Sequence, residues 1–91
     1  MARIKEIARG SGFKRAFRKR VFGKPFEHLF REKLEIFVED PFDARLKTHK
    51  LSGSLEGLWA FTMAYDCRVV FKFLPDDKVL LIDIGTHDEV Y

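Results

Sequence analysis

The sequence predicts an α+β fold: an N-terminal short strand and a helical hairpin packed on a small antiparallel sheet. In most of the first half of the chain, apolar residues recur at helical spacing. In most of the second half, apolar and polar residues alternate as they do in strands. Helices followed by a run of strands is the element order of an α+β domain. With 91 residues the chain is too short for a second core, so we expect one domain over residues 1–91.

The N-terminal half contains the predicted helices. Residues 3–8 alternate imperfectly, which is typical of a short strand or an ordered arm. Ser11 offers an N-cap hydroxyl to a first helix, which Gly23 ends. Pro25 suits the first turn of a second helix, and Asp40-Pro41 stops it. The two helices are predicted to bury one apolar stripe each.

The C-terminal half contains the predicted strands. Leu58–Tyr65 and Cys67–Leu74 are expected to pair in an antiparallel hairpin with its turn at Asp66. Val79–Ile84 is apolar on both faces except for one aspartate, as a central strand would be. The intervening segment, Pro41–Gly57, has seventeen residues with little periodicity, so it is predicted to be a long surface connection.

The positive charge is concentrated in the N-terminal half of the chain. Residues 1–50 carry 14 basic and 7 acidic residues, whereas residues 51–91 carry 3 and 7. One basic cluster lies on the predicted first helix: Lys14, Arg15, Arg18, Lys19 and Arg20. Lys47 and Lys50 lie in the long connection. Such clusters attract RNA, DNA or an acidic protein, and a solvated helix face explains the helix cluster equally well.

Several functional classes are disfavoured by what the sequence lacks. Cys67 is the only cysteine, so it cannot close an intramolecular disulfide, and no Cys/His pair has zinc-site spacing. No apolar run approaches the length of about 20 residues that spans a bilayer, and the N-terminus leads into charge rather than a signal-peptide core. We therefore expect a cytoplasmic protein without membrane association, bound metal or cofactor.

Two histidines are placed where they could perform acid–base chemistry. His49 lies in the basic connection, and His87 follows the last predicted strand. Metal-free cleavage of a phosphodiester needs one imidazole to remove a proton and another to donate one, and imidazole does either near neutral pH. Arg68 alternates with core residues of its strand, so its charge could stabilise the phosphorane. The alternatives are metal ligation by the histidines with Asp66 or Asp88, ranked lower, and ordinary surface positions for each residue.

The arrangement of these segments closely resembles the RelE/ParE superfamily of type II toxins, and within it the YafQ-like mRNA interferases. The resemblance is carried by the segments Leu46–Trp59, Asp66–Phe71 and Leu81–Tyr91, and by Ser11–Arg15, which is similar to the usual start of the family's first helix. It covers nearly the whole chain. The ending Gly-Thr-His-Asp-Glu-Val-Tyr is its most specific part.

The resemblance implies a ribosome-dependent endoribonuclease that cleaves mRNA and is neutralised by a cognate antitoxin. It assigns His49 as general base, His87 as general acid and Arg68 as the contact to the scissile phosphate. Asp66 would orient a histidine or the substrate, and Tyr91 would position a base or the phosphate. The expected partners are the antitoxin, the ribosomal RNA and the message, with operator DNA bound only through the antitoxin.

The sequence departs from the YafQ-like pattern at two positions. Thr62 stands where that subgroup has a further histidine, and Cys67 stands where it has an aromatic residue. Two other functions therefore remain open at this point: a non-enzymatic gyrase inhibitor of the ParE kind, and a degenerate toxin that only binds its antitoxin. Joint retention of four residues favours the nuclease over the gyrase inhibitor: His49, Arg68, His87 and Tyr91.

Overall fold

The computed structural model describes residues 3–25 and 27–90, and of Asp88 the backbone alone. Its helices and strands are β1 (Glu6–Arg9), α1 (Ser11–Arg20), α2 (Glu27–Glu39), β2 (His49–Lys50), β3 (Trp59–Ala64), β4 (Cys67–Leu74), β5 (Lys78–Gly85) and α3 (His87–Val90). Helices α1 and α2 pack on one sheet, so the α+β prediction is confirmed. Among the described residues, no helix is long and apolar enough to cross a membrane.

The described strands form a five-stranded mixed sheet in the order β1-β5-β4-β3-β2. Strands β3, β4 and β5 pair antiparallel, as predicted, and the short edge strand β2, which was not predicted, pairs antiparallel with β3. Strand β1 pairs parallel with β5, with Ile7 opposite Val79, so the sheet as a whole is mixed. A parallel pair needs a long crossover connection, and here it comprises both helices and the other strands. The sequence of residues 3–8 was compatible with a short strand or an ordered arm, and the structure shows a strand at Glu6–Arg9.

The start of α1 differs from the prediction. Ser11 is the first residue of the helix, Gly10 is the N-cap, and no side chain caps the helix. The Gly10 N–H donates to the carbonyl of Leu81 at 2.9 Å, which continues the contact between β1 and β5. A Cβ at Gly10 would lie 3.2 Å from that carbonyl oxygen. The start of α1 is therefore set by the close approach of Gly10 to β5, and not by a capping serine side chain.

The core lies between the two helices and the sheet. Phe37 of α2 is fully buried, and its ring centroid lies 4.7 Å from that of Phe61 and 4.8 Å from that of Phe71. On α1, Phe13 and Ala16 face the same core. Helix α2 ends at Glu39, directly before the predicted Asp40-Pro41 stop. Each helix therefore packs an apolar stripe against the core, as the sequence pattern indicated.

The segment predicted as a long irregular connection contains several short elements, one of which belongs to the sheet. It contains two short 3₁₀ turns, Ala44–Leu46 and Gly53–Leu55, and the edge strand β2. Leu46 is fully buried and anchors the first turn in the core. Elements of two or three residues are too short to produce a periodic signal, which is why the sequence did not reveal them. His49 is consequently fixed on the sheet instead of in a loose loop.

Candidate functional site

Arg68 occupies the sheet face opposite the helices. Thr62 lies opposite it on β3, and Gly85 lies opposite it on β5. The next residue, Val69, is fully buried in the helix-facing core, and successive side chains of a strand point to opposite faces. The Arg68 side chain is 28% exposed. Part of the side chain is therefore accessible from the face that the helices leave open, whereas its Nη1 atom is buried.

Asp66 accompanies Arg68 at the β3–β4 turn. Its backbone has φ +55°, in the left-handed region that aspartate tolerates better than most residues. Its Oδ1 lies 3.5 Å from Nη1 of Arg68. A partly exposed ion pair of this kind adds little stability, so its main consequence is to restrict the orientation of the guanidinium.

A basic cleft of about 520 Å³ lies beside Arg68. Lys33 of α2, Arg45 and Lys47 line it together with Arg68. Lys47 belongs to the predicted RNA-binding residues. Lys33 does not, because it reaches the cleft only by tertiary packing, with its Nζ 3.4 Å from the carbonyl oxygen of Arg45. The cleft presents a positive field to anions such as phosphates.

The charge of Arg45 is largely balanced within the protein. Its Nε and Nη2 atoms donate to the two carboxylate oxygens of Asp43, each at 2.9 Å. These side-chain bonds and the backbone N–H of Arg45 lower the pKa of Asp43 to about 2. Asp43 is thus ionised near neutral pH. The Asp66 carboxylate, which also lines the cleft, lies against Arg68, so the net positive field comes mainly from Lys33 and Lys47.

His49 lies on the same sheet face as Arg68. It is an exposed residue of β2, opposite Ala60, which shares its face with Thr62 two residues further along β3. Its Nδ1 lies 3.0 Å from the carbonyl oxygen of Lys47. A carbonyl can only accept, so Nδ1 donates and, in the neutral ring, Nε2 carries the lone pair. That nitrogen is the one suited to accept a proton.

His87 is the first residue of α3 and comes two residues after Gly85, the β5 partner of Arg68. Its side chain is exposed. In the strand order, Arg68 on β4 lies between His49 on β2 and the end of β5 that leads into His87. The two histidines therefore flank the arginine along the sheet.

Lys50 is a predicted site residue that the structure does not bring to this place. Lys50 lies opposite Trp59, and its ammonium is 5.5 Å from the centre of the Trp59 ring. That contact is on the helix-facing side of the sheet, away from Arg68. Tyr91 lies outside the described residues.

The basic residues of α1 divide into two groups. Four are exposed: Lys14, Arg15, Arg18 and Lys19. The Arg20 side chain is only 25% exposed and forms ion pairs with Asp83 and Glu89. The charge of Arg20 is therefore directed at β5 and α3 rather than at solvent.

Cys67 lies near the site but is poorly suited to act as a nucleophile. Burial raises the pKa of its thiol, and the carboxylates of Glu89 and Asp66 raise it further. A higher pKa leaves less of the reactive thiolate at a given pH.

We expect native Cys67 to react with iodoacetamide near pH 8 at least several-fold more slowly than the same protein in denaturing urea. The measurement is the alkylation rate followed by intact mass. Equal rates in the two states would contradict the protection inferred for this thiol.

The histidines do not form a metal site with the described side chains. Among residues 3–25 and 27–90 there is no group of three His, Cys, Asp or Glu side chains able to hold a metal ion. The alternative that used Asp88 involves a side chain outside the described part of the chain.

Comparison with known proteins identifies the fold. No family model matches the chain, and neither does a curated protein sequence. YafQ from E. coli strain BL21(DE3) is 24% identical over 93% of this chain and 96% of that one, with a TM-score of 0.70. The matched chain of the E. coli DinJ-YafQ toxin-antitoxin complex is 19% identical over 93% and 94%, with a TM-score of 0.70. The YoeB/ParE toxin from Agrobacterium tumefaciens is 14% identical over 90% and 98%, with a TM-score of 0.73.

Proposed function

We propose that this chain, whose fold is that of the RelE/ParE superfamily and resembles YafQ, is the toxin of a type II toxin–antitoxin system. We propose further that it is an endoribonuclease that cleaves mRNA on the ribosome by metal-independent acid–base catalysis. The observation that carries this proposal is the order of the polar residues along the sheet. His49 and Arg68 share the open face, and His87 follows the strand on the other side of Arg68.

The spacing of the strands suits a phosphate bound between the histidines. Strands β2 and β5 are three steps apart, or about 14 Å at the usual strand separation. The register also places His49 level with Asp83, four residues before His87, so the two histidines are offset along the strands as well. The two imidazoles are therefore too far apart to bond each other directly. Each imidazole extends several ångströms from its own backbone. A phosphodiester bound at Arg68 could therefore contact His49 on one side and His87 on the other.

These side chains supply both proton transfers of the proposed reaction. Nε2 of His49 takes the proton of the ribose 2′-hydroxyl as the 2′-oxygen forms a bond to phosphorus. Protonated His87 gives its proton to the 5′-oxygen as the phosphorus–oxygen bond breaks, leaving a 2′,3′-cyclic phosphate and a 5′-hydroxyl. Arg68 stabilises the extra negative charge of the phosphorane, with Asp66 orienting its guanidinium.

The ribosome supplies the orientation that this small site lacks. The cleft is open, so it does not hold a flexible RNA strand with the 2′-oxygen in line with the leaving group. Binding of the α1 face (Lys14, Arg15, Arg18 and Lys19) to ribosomal RNA would place the message across the sheet. Proximity and alignment of this kind can contribute several kcal/mol to catalysis, so we propose little activity on free RNA. Tyr91 is proposed to position a base or the phosphate.

An acidic antitoxin segment is the proposed partner of a groove between the two helices. The groove has a volume of about 670 Å³ and an apolar floor that includes Phe13, Phe17 and Leu34. Its rim carries three arginines against two carboxylates: Arg3, Arg9, Arg31, Glu35 and Glu39. An amphipathic helix with acidic flanks would bury its apolar face there and pair with the rim. Operator DNA would be bound through the antitoxin.

The test of the proposed function is a cell-free translation reaction that receives the purified chain. We expect primer extension to map cleavage within translated codons, and we expect the same transcript to stay intact when ribosomes are omitted. A supercoiling assay with DNA gyrase serves as the parallel arm and is expected to show no inhibition.

Three results would contradict the proposal. Cleavage of free RNA at the same rate would remove ribosome dependence. Inhibited supercoiling with an intact message would identify a gyrase inhibitor of the ParE kind. Inactivity in both arms would favour a degenerate toxin that only binds its antitoxin.

A further inference from the structure

Arg20 connects α1, β5 and α3 at the end of the sheet nearest His87. From the last turn of α1, its Nη1 donates to the carbonyl oxygen of Ile84 at 2.9 Å and to Oδ1 of Asp83 at 3.3 Å. Its Nε lies 3.4 Å from Oε2 of Glu89 in α3. One side chain thus ties the end of α1 to β5 and to α3.

Glu89 also holds the start of α3. Its Oε1 accepts the backbone N–H of Thr86 at 2.7 Å, while its own N–H donates to the carbonyl oxygen of Thr86 at 3.0 Å. The sequence Thr-x-x-Glu is the capping-box pattern, and His87 is the residue that follows the threonine. One carboxylate oxygen therefore caps the helix that begins with His87, and the other binds Arg20.

The remaining space at this junction requires a glycine. A Cβ at Gly85 would lie 2.8 Å from Nη1 of Arg20, 2.8 Å from Oε1 of Glu89 and 3.1 Å from its Cβ. The φ of Gly85 is not in the left-handed region, so alanine would be tolerated by the backbone itself. An added methyl group would therefore act by displacing Arg20 and Glu89.

Helix α3 depends on these contacts because it is short. It has four described residues, and a helix of that length is unstable without tertiary support. The Thr86 N–H, and then the charge of Arg20, lower the pKa of Glu89. The carboxylate is therefore ionised near neutral pH, so it accepts the Thr86 N–H and attracts the Arg20 guanidinium electrostatically.

We propose that Arg20 and Glu89 are positioning residues that hold the backbone of His87 beside Arg68. The catalytic part of this inference rests on the proposed ribonuclease function, in which His87 donates the proton to the leaving oxygen. Arg20 would act on the reaction through α3 without touching the RNA. It would thereby differ from the exposed cations of α1, whose removal should weaken ribosome binding.

The test combines backbone dynamics of the free protein with cleavage kinetics. For Arg20→Gln, we expect the ¹⁵N order parameters of residues 86–90 to fall from about 0.85 towards 0.6 or below. We expect kcat for cleavage of ribosome-bound mRNA to fall about 10- to 100-fold while KM stays within about twofold. Gly85→Ala should lower the order parameters and kcat in the same way. Arg20→Lys should keep both quantities closer to their wild-type values than Arg20→Gln does.

Lys5→Gln is the matched control. It removes an exposed cation whose Nζ lies 4.0 Å from Asp77, at the opposite end of β5 from His87. We expect its order parameters and kinetics to equal those of the wild type. Near-UV circular dichroism checks that each variant keeps its tertiary packing.

Two outcomes would overturn the proposal. A raised KM with unchanged kcat and unchanged order parameters would make Arg20 an RNA contact. Unchanged order parameters in both Arg20→Gln and Gly85→Ala would show that α3 does not depend on this junction. If the wild type cleaved nothing, the ribonuclease function would fail, whereas the relaxation measurement would still decide whether Arg20 anchors α3.

Discussion

Replacing His87 by alanine is expected to lower the rate of ribosome-bound mRNA cleavage by about 10²- to 10⁴-fold. That range is the usual contribution of a positioned general acid, and alanine offers no proton to the departing 5′-oxygen. The measurement is single-turnover cleavage on programmed ribosomes, with primer extension to verify the site. Expression of the variant without antitoxin is expected to permit normal growth.

The lower cleavage rate of His87→Ala should result from the missing proton donor and not from unfolding of the variant. The His87 side chain is exposed, and surface substitutions usually change stability by less than about 0.5 kcal/mol. The urea midpoint of the variant should therefore match that of the wild type.

His28→Ala is the matched control for this substitution. His28 is an exposed histidine of α2 whose Nδ1 bonds the carbonyl oxygen of Pro25, and it has no place in the proposed reaction. Its removal should leave cleavage unchanged. Wild-type cleavage by His87→Ala would remove His87 from the mechanism.

Replacing Phe37 by alanine is expected to destabilise the protein by about 3–5 kcal/mol. Phe37 is fully buried, stacks on Phe61 and makes an edge-to-face contact with Phe71, so truncation removes ring contacts and leaves a cavity between α2 and the sheet. Domains of this size have a free energy of unfolding of about 5–13 kcal/mol, so the loss is a large part of the total. The measurement is equilibrium unfolding in urea.

The control for this prediction is Phe22→Ala. Phe22 is 63% exposed, so its truncation should change the free energy of unfolding by less than about 1 kcal/mol. The urea m-value should be the same in both variants if the denatured states are alike. A loss below about 1 kcal/mol for Phe37→Ala would contradict its position in the core.

Local periodicity made much of the fold predictable. The apolar stripes of α1 and α2 and the alternation in β3 and β4 are properties of neighbouring residues, and each matches a described element. The parallel pairing of β1 was not predictable in this way. Ile7 and Val79 are distant in sequence, and no local pattern specifies which edge of the sheet a four-residue strand joins.

The residues of the candidate site also divide into those that the sequence indicates and those that only tertiary packing reveals. His49, Arg68 and His87 were selected from residue type, from their flanks and from the family resemblance. Lys33 was not selected, because its contribution to the cleft depends on the position of α2 over the first 3₁₀ turn. Lys50 was selected with the other basic residues, and its ammonium instead lies over the Trp59 ring.

By itself the sequence determined the α+β class, the central hairpin and the residue types that can move a proton or stabilise a phosphorane. Only the tertiary structure decided that β1 is parallel, that His49 belongs to the sheet, and that Arg20 bonds to the segment carrying His87. The physical reason is that periodicity records how each segment meets the core. Pairings between distant residues depend on the three-dimensional position of both partners.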